Sequence, residues 1–568
     1  MDPDGGLERI SSEGAGSAAE PNQGGRRLGL SMMPSEGRYR ATVLAIVMTG
    51  VMMSAIDTTA VVLGLPVMMR DLHTDIISMI WVIMSYLLVI TILGTQVGRL
   101  GDMYGRARLY NLGFAVFTVG SLLSGVSATG AELIACRVVQ GLGGALISSN
   151  SGAVIADTFP ANERGKAYGF TGVGWSVGAI LGILIGGAFV TFLNWRYIFF
   201  INLPIGLVAT SAGFYLLKER SPRVKATLDV VGMAALGTGL FLVLLGLTSL
   251  TGSGGSATYD GEIAAGLVLV LVFAVHERRS SSPLIDVRLL QQRILTASVL
   301  AAFFQALASF AVLFLVIMFL QGPRGLSPFN GSLLLVPGYV LGALVAPFSG
   351  RLADRLGARV VASVGLVLQI IGIVVYSTLS LGSSLDVVVL GSVVSGLGSS
   401  SFFPANNSAV MASAPRNAYG VASGLLRTLS NIGMVSSFAM ALLIASLSIP
   451  RQLAFEIFLG AGEISGSLST AFIQGMRSAL TVSIALLLVA LALSVLRGKE
   501  TRSGAPAGSS RPSGRPAEAR GHPPGLEASV RLIHTSPGRR VRRSRGPPRL
   551  TSTAGRPWRR VRSPATAP

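Results

Sequence analysis

The 568-residue sequence predicts an all-α integral membrane protein with fourteen spanning helices and an internal duplication. Three observations carry that prediction. Half of the residues are hydrophobic, only 13% are charged, and the mean hydropathy is +0.62, where soluble domains carry about 25% charged residues. Fourteen apolar runs follow one another, most of them long enough to cross a ~30 Å hydrocarbon core, which takes about 20 helical residues. Finally, a charged knot at Gly98–Arg108 (G-R-L-G-D-M-Y-G-R-A-R) returns at Gly350–Arg359 (G-R-L-A-D-R-L-G-A-R), 252 residues on (350 − 98). That spacing is far longer than a solenoid repeat, so the repeated unit is a half-molecule.

Residues 1–38 come first, rich in Gly, Ser and Glu without an apolar period, and are expected to form a disordered cytoplasmic tail. They lack the apolar core of a cleaved signal peptide, so the first span itself directs insertion. The apolar runs then fall at about 41–63, 77–97, 109–128, 131–156, 168–192, 197–217, 230–250, 263–275, 295–320, 329–349, 360–381, 385–412, 420–447 and 476–496. The eighth, 263–275, is the shortest and stops at His276, Glu277 and Arg278. From about 497 the character changes: residues 499–568 are dominated by Arg, Pro, Ser and Gly and cannot bury a core. Attraction to anionic lipid, an RNA-binding arm and a functionless extension are the readings open for that tail.

Loop charges test the count, since cytoplasmic loops favour Lys and Arg. With the N-terminus inside, the inner loops hold seventeen basic residues, among them Arg99, Arg106, Arg164, Lys218, Arg278 and Arg355. The outer loops hold five: Arg70, Arg196, Arg324, Arg451 and Arg477. The alternation supports fourteen spans with both termini in the cytoplasm. The formal charge of +20 suggests nucleic acid at first sight, but its distribution along the chain points elsewhere.

Composition excludes several other classes. The one cysteine, Cys136, rules out a disulfide framework or a cysteine metal site, and it lies inside an apolar run. None of the four lysines sits in a G-x-x-x-x-G-K-[S/T] phosphate loop. The four histidines, His73, His276, His522 and His534, are scattered, so neither an intramembrane hydrolase nor a metalloenzyme is expected. The glycines of the two knots suit a tight turn between helices. Asp102 and Asp354 stand where a carboxylate can cap a helix N-terminus or pair with arginine.

Further stretches carry a family resemblance. Ser54–Pro66 reads S-A-I-D-T-T-A-V-V-L-G-L-P; Trp81 and Tyr86 stand in a W-V-x-x-x-Y-L-L segment; Arg137–Gly144 reads R-V-V-Q-G-L-G-G; Asn194–Gly206 reads N-W-R-Y-I-F-F-I-N-L-P-I-G; and Gln321–Gly331 with Pro337 precedes the second knot. In this order, together with the knots, they resemble the major facilitator superfamily, specifically its fourteen-helix drug:proton antiporter branch (the EmrB/QacA type), over residues 41–497. The resemblance implies a major facilitator fold: a six-helix bundle over 39–218, two inserted helices over 219–293, and a second bundle over 294–498 around a central cavity. It implies proton-coupled efflux of amphipathic organic compounds by a monomer in the plasma membrane, with small-molecule substrate, protons and lipid as partners. No cofactor, nucleic acid or enzymatic activity is implied. A facilitator or narrow exporter of one endogenous metabolite is the alternative, and a non-transporting membrane receptor a more distant one.

The same resemblance distributes roles. Gly98, Asp102, Gly105, Arg106 and Asp157, with Gly350, Asp354 and Gly357 in the second half, look like the family's latch, in which the loop arginine pairs with acids at helix ends. Gly178, Gly182, Gly186 and Gly187 look like its fifth-helix packing glycines, although Ile183 occupies the usual proline position, so a proline-linked bend is not expected. Ala358 replaces the arginine found at 106. Both departures weigh on antiport rather than on transport.

Asp57 is the acid deep inside an apolar run, where a charge costs about 2.5–3.5 kcal/mol on insertion scales and usually faces a cavity or a partner. It reads as a carboxyl that takes a proton when desolvated and releases it when water returns, with Thr58 and Thr59 as uncharged neighbours. The alternative is a residue capped locally by those threonines. Arg137 is the other intramembrane charge: it can hold a carboxylate ionised, bind an anion or anchor the fold, but cannot carry protons. Trp175, Gln305, Gln369, Asn406, Asn407, Arg427 and Asn431 are the candidates to line a substrate cavity.

Overall fold

The computed structural model describes residues 36–160, 163–220, 227–253, 257–280, 291–414, 419–447 and 467–498. Almost all of the expected N-terminal tail, and the whole Arg/Pro-rich tail at 499–568, lie outside these. Among the described residues there is no strand, and fourteen helical spans are long and apolar enough to cross a membrane.

The first half contains α1 (Glu36–Asp71), α2 (Ile76–Tyr104), α3 (Arg106–Val126), α4 (Gly130–Thr158), α5 (Arg164–Phe192), α6 (Tyr197–Phe200) and α7 (Asn202–Leu216). The last two form one span, broken at Ile201. Pro204 explains the break, because it has no N–H to donate and its ring crowds the carbonyl four residues back. The inserted pair is α8 (Val230–Ser253) and α9 (Ala257–Arg279). The second half contains α10 (Arg293–Gln321), α11 (Pro328–Leu356), α12 (Ala358–Ser377), α13 (Asp386–Ser413), α14 (Tyr419–Leu447) and α15 (Ser467–Leu496).

The duplication is visible in how α2 and α11 begin and end. Each is 29 residues long. Asp75 caps α2 by accepting the Ser78 N–H at 2.6 Å, and Ser327, 252 residues on, caps α11 by accepting the Asn330 N–H at 3.2 Å. Gly105 (φ 115°) and Gly357 (φ 95°) then turn the chain straight into α3 and α12. Each knot is therefore a one-residue turn. Gly98 and Gly350, expected at that turn, lie inside α2 and α11 with open space beside their Cα atoms.

Glycines also set how close the helices lie. A methyl built at Gly178 would sit 2.6 Å from the Met52 carbonyl, one at Gly182 2.7 Å from the Ile56 carbonyl, and one at Gly186 2.8 Å from Ala60 Cα. These three stack along α1, so α5 and α1 pack backbone to backbone. Gly187 points the other way, with a would-be methyl 2.7 Å from Ser332 Oγ on α11, where the halves meet. Ile183 between them is fully buried and packs as an ordinary core side chain.

At the ends remote from the knots the halves are joined firmly. Phe329 N–H donates to Thr191 Oγ1 at 3.0 Å, Gln321 Nε2 donates to the Leu63 carbonyl at 3.1 Å, and the Phe192 and Phe329 rings lie 5.3 Å apart. Eighteen residues make five helical turns, so Gly169 shares a face of α5 with Gly187, and Gly350 shares a face of α11 with Ser332. The outer members of these pairs touch; the knot-side members, Gly169 and Gly350, have nothing within 4 Å of a built methyl. The stripes that close the far face therefore part toward the knot face.

The helix α8 lies against α2 through Trp81, whose indole N–H donates to Thr248 Oγ1 at 3.3 Å and whose ring lies 5.4 Å from Phe241. α9 packs mainly on α8, through Gly239, Gly246 and Gly266, and turns Leu267, Val268 and Leu271 outward, as a lipid-facing helix should.

Candidate functional site

The two intramembrane charges read separately from the sequence form one pair. Arg137 Nη1 donates to Asp57 Oδ2 at 2.7 Å, with the two side chains 1% and 0% exposed. Arg137 also reaches Gln140 Oε1 at 2.7 Å and the Val82 carbonyl at 3.1 Å, and its guanidinium lies 4.2 Å over the Tyr86 ring. Gln140 Nε2 donates to the other carboxylate oxygen, Asp57 Oδ1, at 2.8 Å. A second layer follows: Asn202 Nδ2 donates to Ser121 Oγ at 3.0 Å, and Ser121 Oγ donates to the Phe199 carbonyl at 2.9 Å. Five spans thus converge on one carboxylate–guanidinium pair, a dry arrangement in which each charge is tolerated only because the other is present.

This corrects the expectation that Asp57 has only uncharged neighbours. It also removes the local-cap alternative, because Thr58 Oγ1 donates to the Ser54 carbonyl and Thr59 Oγ1 to the Ala55 carbonyl, not to Asp57. Of the readings open for Arg137, the geometry selects the partner of a carboxylate. Gln140, Tyr86 and Asn202 were given no role from sequence. All three stood in the motif segments quoted there, which was the available signal.

The latch assembles around Arg106, the first residue of α3. Its Nε donates to Asp102 Oδ1 and its Nη1 to Asp157 Oδ1, both at 2.7 Å. Asp102 sits in the last turn of α2 and pairs with arginine; it does not cap an N-terminus. A third acid was not foreseen: Glu219, just past α7, accepts the Arg106 backbone N–H at 3.1 Å and caps α3. A side chain at Gly105 would collide with that carboxylate, so the glycine is required for space as well as for φ. In the second copy Ala358 is buried against the core where Arg106 reaches across; the Asp354 side chain lies outside the described positions.

Of the remaining candidates, Gln305, Gln369 and Asn406 are buried in polar contacts of their own. Gln305 Nε2 donates to Gln369 Oε1 at 2.8 Å, joined by Ser309 at 3.0 Å, forming a neutral cluster between α10 and α12. Asn406 is buried and donates to the Ser298 carbonyl at 3.0 Å, next to the buried Arg497. Asn407 and Trp175 are exposed, and Asn431 is half-buried on α14. Arg427 crosses between the halves, donating to the Ser148 carbonyl on α4, while its neighbour Thr428 hydroxyl lies 3.3 Å from that of Thr95 on α2.

A further polar cluster, unread in the sequence, ties the inserted hairpin to α2. Asp229 caps α8 by accepting the Gly232 N–H at 2.8 Å, lies 2.9 Å from His276 Nε2, and accepts from Ser280 Oγ at 3.2 Å. Gln96 on α2 donates to the Asp229 carbonyl at 3.3 Å. Burial by itself would raise the Asp229 carboxyl, but the Gly232 N–H and the His276 ring outweigh it and hold the group below its ordinary range.

The sequence pattern of the Major Facilitator Superfamily matches residues 47–438. The chain belongs to that superfamily. Riboflavin transporter RibZ of Clostridioides difficile is 31% identical over 70% of this chain and 86% of its own length. The tetracenomycin C resistance and export protein of Streptomyces glaucescens is 30% identical over 82% of this chain and 92% of its own. Among solved structures, an inward-facing, unoccupied bacterial homologue of the human lysosomal transporter Spinster superposes with a TM-score of 0.56 at 17% identity, covering 81% of this chain and 97% of that one. The protein is therefore a multi-pass membrane transporter of the major facilitator fold and not an enzyme.

Proposed function

We propose that this transporter is a proton-driven exporter of amphipathic organic compounds, of the fourteen-helix drug:proton antiporter branch. On this reading it acts as a monomer in the plasma membrane, with both termini and both knots in the cytoplasm and the proton gradient, not a cofactor, as its energy source. The observation that carries the proposal is the Asp57–Arg137 pair. A proton reaching Asp57 removes the negative charge that Arg137 neutralises, and the guanidinium is left with Gln140, Val82 and the Tyr86 face. Since five spans converge on the pair, that exchange can bias the whole first half. The latch suits the same cycle, because partly exposed ion pairs contribute only about 0–1 kcal/mol each and can break at every turnover.

The export name of the Streptomyces relative supports this direction of transport. A second reading, a narrow carrier of one metabolite, is favoured by Ile183 in place of proline and by the riboflavin-transporting relative. Purified protein in proteoliposomes separates the two. Uptake of an amphipathic dye should depend on an imposed pH gradient, and Asp57→Asn should abolish uphill movement while leaving downhill exchange. Transport indifferent to the gradient, or an undiminished Asp57→Asn, would remove proton exchange through this carboxyl.

A further inference from the structure

We infer that Arg427 is the anchor of an anion-binding subsite, so that the preferred substrates carry a carboxylate, phenolate or comparable acidic group on an apolar body. The inference rests on the export reading and supplies its substrate class.

Arg427 is six residues inside the span that begins at Val421, about 9 Å along the helix. Its acceptor Ser148 lies ten residues inside the end of α4 at Thr158, about 15 Å along. The guanidinium is thus within the membrane-spanning layer and between the two halves. A cation in that position is expected to have a partner. Arg137 has one; Arg427 does not. Among the described residues no carboxylate lies within ion-pair distance of it, and it makes one hydrogen bond, to a backbone carbonyl. The remaining N–H donors of a planar five-donor fork are left over. Arg427 is nevertheless exposed rather than packed away. An uncompensated intramembrane cation that keeps accessible surface although protein surrounds and desolvates it borders an opening between the halves, and is a site that an incoming anion completes.

Its surroundings fit that role. Tyr168 on α5 is the titratable group that influences Arg427 electrostatically, and its hydroxyl is already spent on the Gly152 carbonyl at 2.9 Å. Thr95 and Thr428 supply hydroxyls on the α2 and α14 walls. Gly169, next to Tyr168, opens on empty space on the side where α5 and α11 part toward the knot face. Ser148 stands eleven residues along α4 from Arg137, about 16 Å. An anion held at Arg427 therefore sits three turns to the knot side of the proton pair, on the path a substrate entering from that face would follow. A cationic drug would meet Arg427 with no acid to offset it.

Binding of radiolabelled anthracene-9-carboxylate and of its neutral amide to the purified full-length protein tests this, with transport of the same compounds in proteoliposomes run alongside. The parent should bind the acid at least about tenfold more tightly than the amide. Arg427→Gln should weaken the acid by about tenfold or more and leave the amide within about twofold, and Arg427→Lys should restore part of the preference, since ammonium keeps the charge without the fork. Equal weakening of both compounds would make Arg427 a gate or packing residue acting through Ser148 and would overturn the inference. So would a parent that does not distinguish acid from amide, or binds neither. Binding in the expected pattern without any gradient-driven movement would remove the export reading and leave the anion subsite standing.

Discussion

Removing one member of the Asp57–Arg137 pair should destabilise the protein far more than removing both. With Arg137→Gln, the Asp57 carboxylate keeps only the Gln140 amide at 2.8 Å and loses the guanidinium at 2.7 Å, in a place where it is 0% exposed. Breaking a buried pair in this way costs about 3–5 kcal/mol. Asp57→Asn is milder, about 2–3 kcal/mol, because Arg137 retains Gln140, the Val82 carbonyl and the Tyr86 face, and hydrogen bonds to charged groups contribute about 1.5–3 kcal/mol each. The double variant removes both charges and should return to within about 1 kcal/mol of the parent. The interaction term of the cycle is then about 3 kcal/mol or more, well above the 0.5 kcal/mol within which independent sites add. Equilibrium unfolding in mixed micelles, followed by tryptophan fluorescence, reads it directly, since Trp81, Trp175 and Trp195 all lie in the first half. Additive single effects, or an Arg137→Gln as stable as the parent, would refute the argument that the charges compensate one another.

Two further outcomes follow from the packing and from the hairpin. Gly182→Val should yield little folded protein by size-exclusion of detergent extracts, because even its Cβ would press on the Ile56 carbonyl at 2.7 Å, whereas Gly98→Ala, facing open space, should be recovered like the parent. At the hairpin, a carboxyl held below its ordinary value of 3.8 contributes stability that is complete above about pH 4 and is lost as the pH falls below it. Thermal melts between pH 3 and 6 should therefore show the parent losing its advantage over Asp229→Asn only at the acid end; an advantage that grew on acidification would contradict the sign.

The spans were legible because a bilayer imposes length and apolarity on each of them, and those are properties of local sequence. Their ends were not. α1 runs Glu36–Asp71 where the apolar run covers 41–63, since a helix continues past the hydrocarbon into water and its polar overhang, Arg38, Arg40, Arg70 and Asp71, carries no apolar signal. α9 looked too short at 263–275 for the same reason: Asp260 and Glu262 at one end and His276–Arg279 at the other belong to the helix but not to its apolar stretch. The latch was legible through Arg106 and Asp102, four residues apart across a turn. Its third acid, Glu219, was not, because it arrives from 113 residues away. The buried Asp57–Arg137 pair failed to show for that reason as well. Asp57 and Arg137 each announce themselves as intramembrane charges, but their contact depends on the relative rotation of α1 and α4 across 80 residues. Packing such as that of Gly50 on α1, where a methyl would meet Ile147 of α4 at 2.9 Å, belongs to the folded bundle, and no local pattern spells it out.

The duplication sharpens what the pair means. Applying the offset of the knots to Asp57 leads to Ser309, which lies in the neutral Gln305–Gln369 cluster of the second half. The region of α13 corresponding to Arg137 on α4 is the stretch V-V-V-L-G-S-V-V, with neither cation nor amide. Arg106 likewise has Ala358 as its counterpart. Among the described residues both charged devices therefore sit in the first half, the latch at the knot face and the Asp57–Arg137 pair inside the bundle. Among the described residues the second half contributes buried amides and hydroxyls, and Arg427 on α14 reaches back across the interface to α4. Two halves with the same helix plan have thus been given different electrostatic tasks. On the export reading, that division lets a proton act on one half while the substrate is held between both. On that reading a protonation event at Asp57 has a direct route to the substrate along α4, which carries Arg137 near one end and the Ser148 acceptor of Arg427 about three turns further on, with α2 and its Tyr86 and Thr95 beside it.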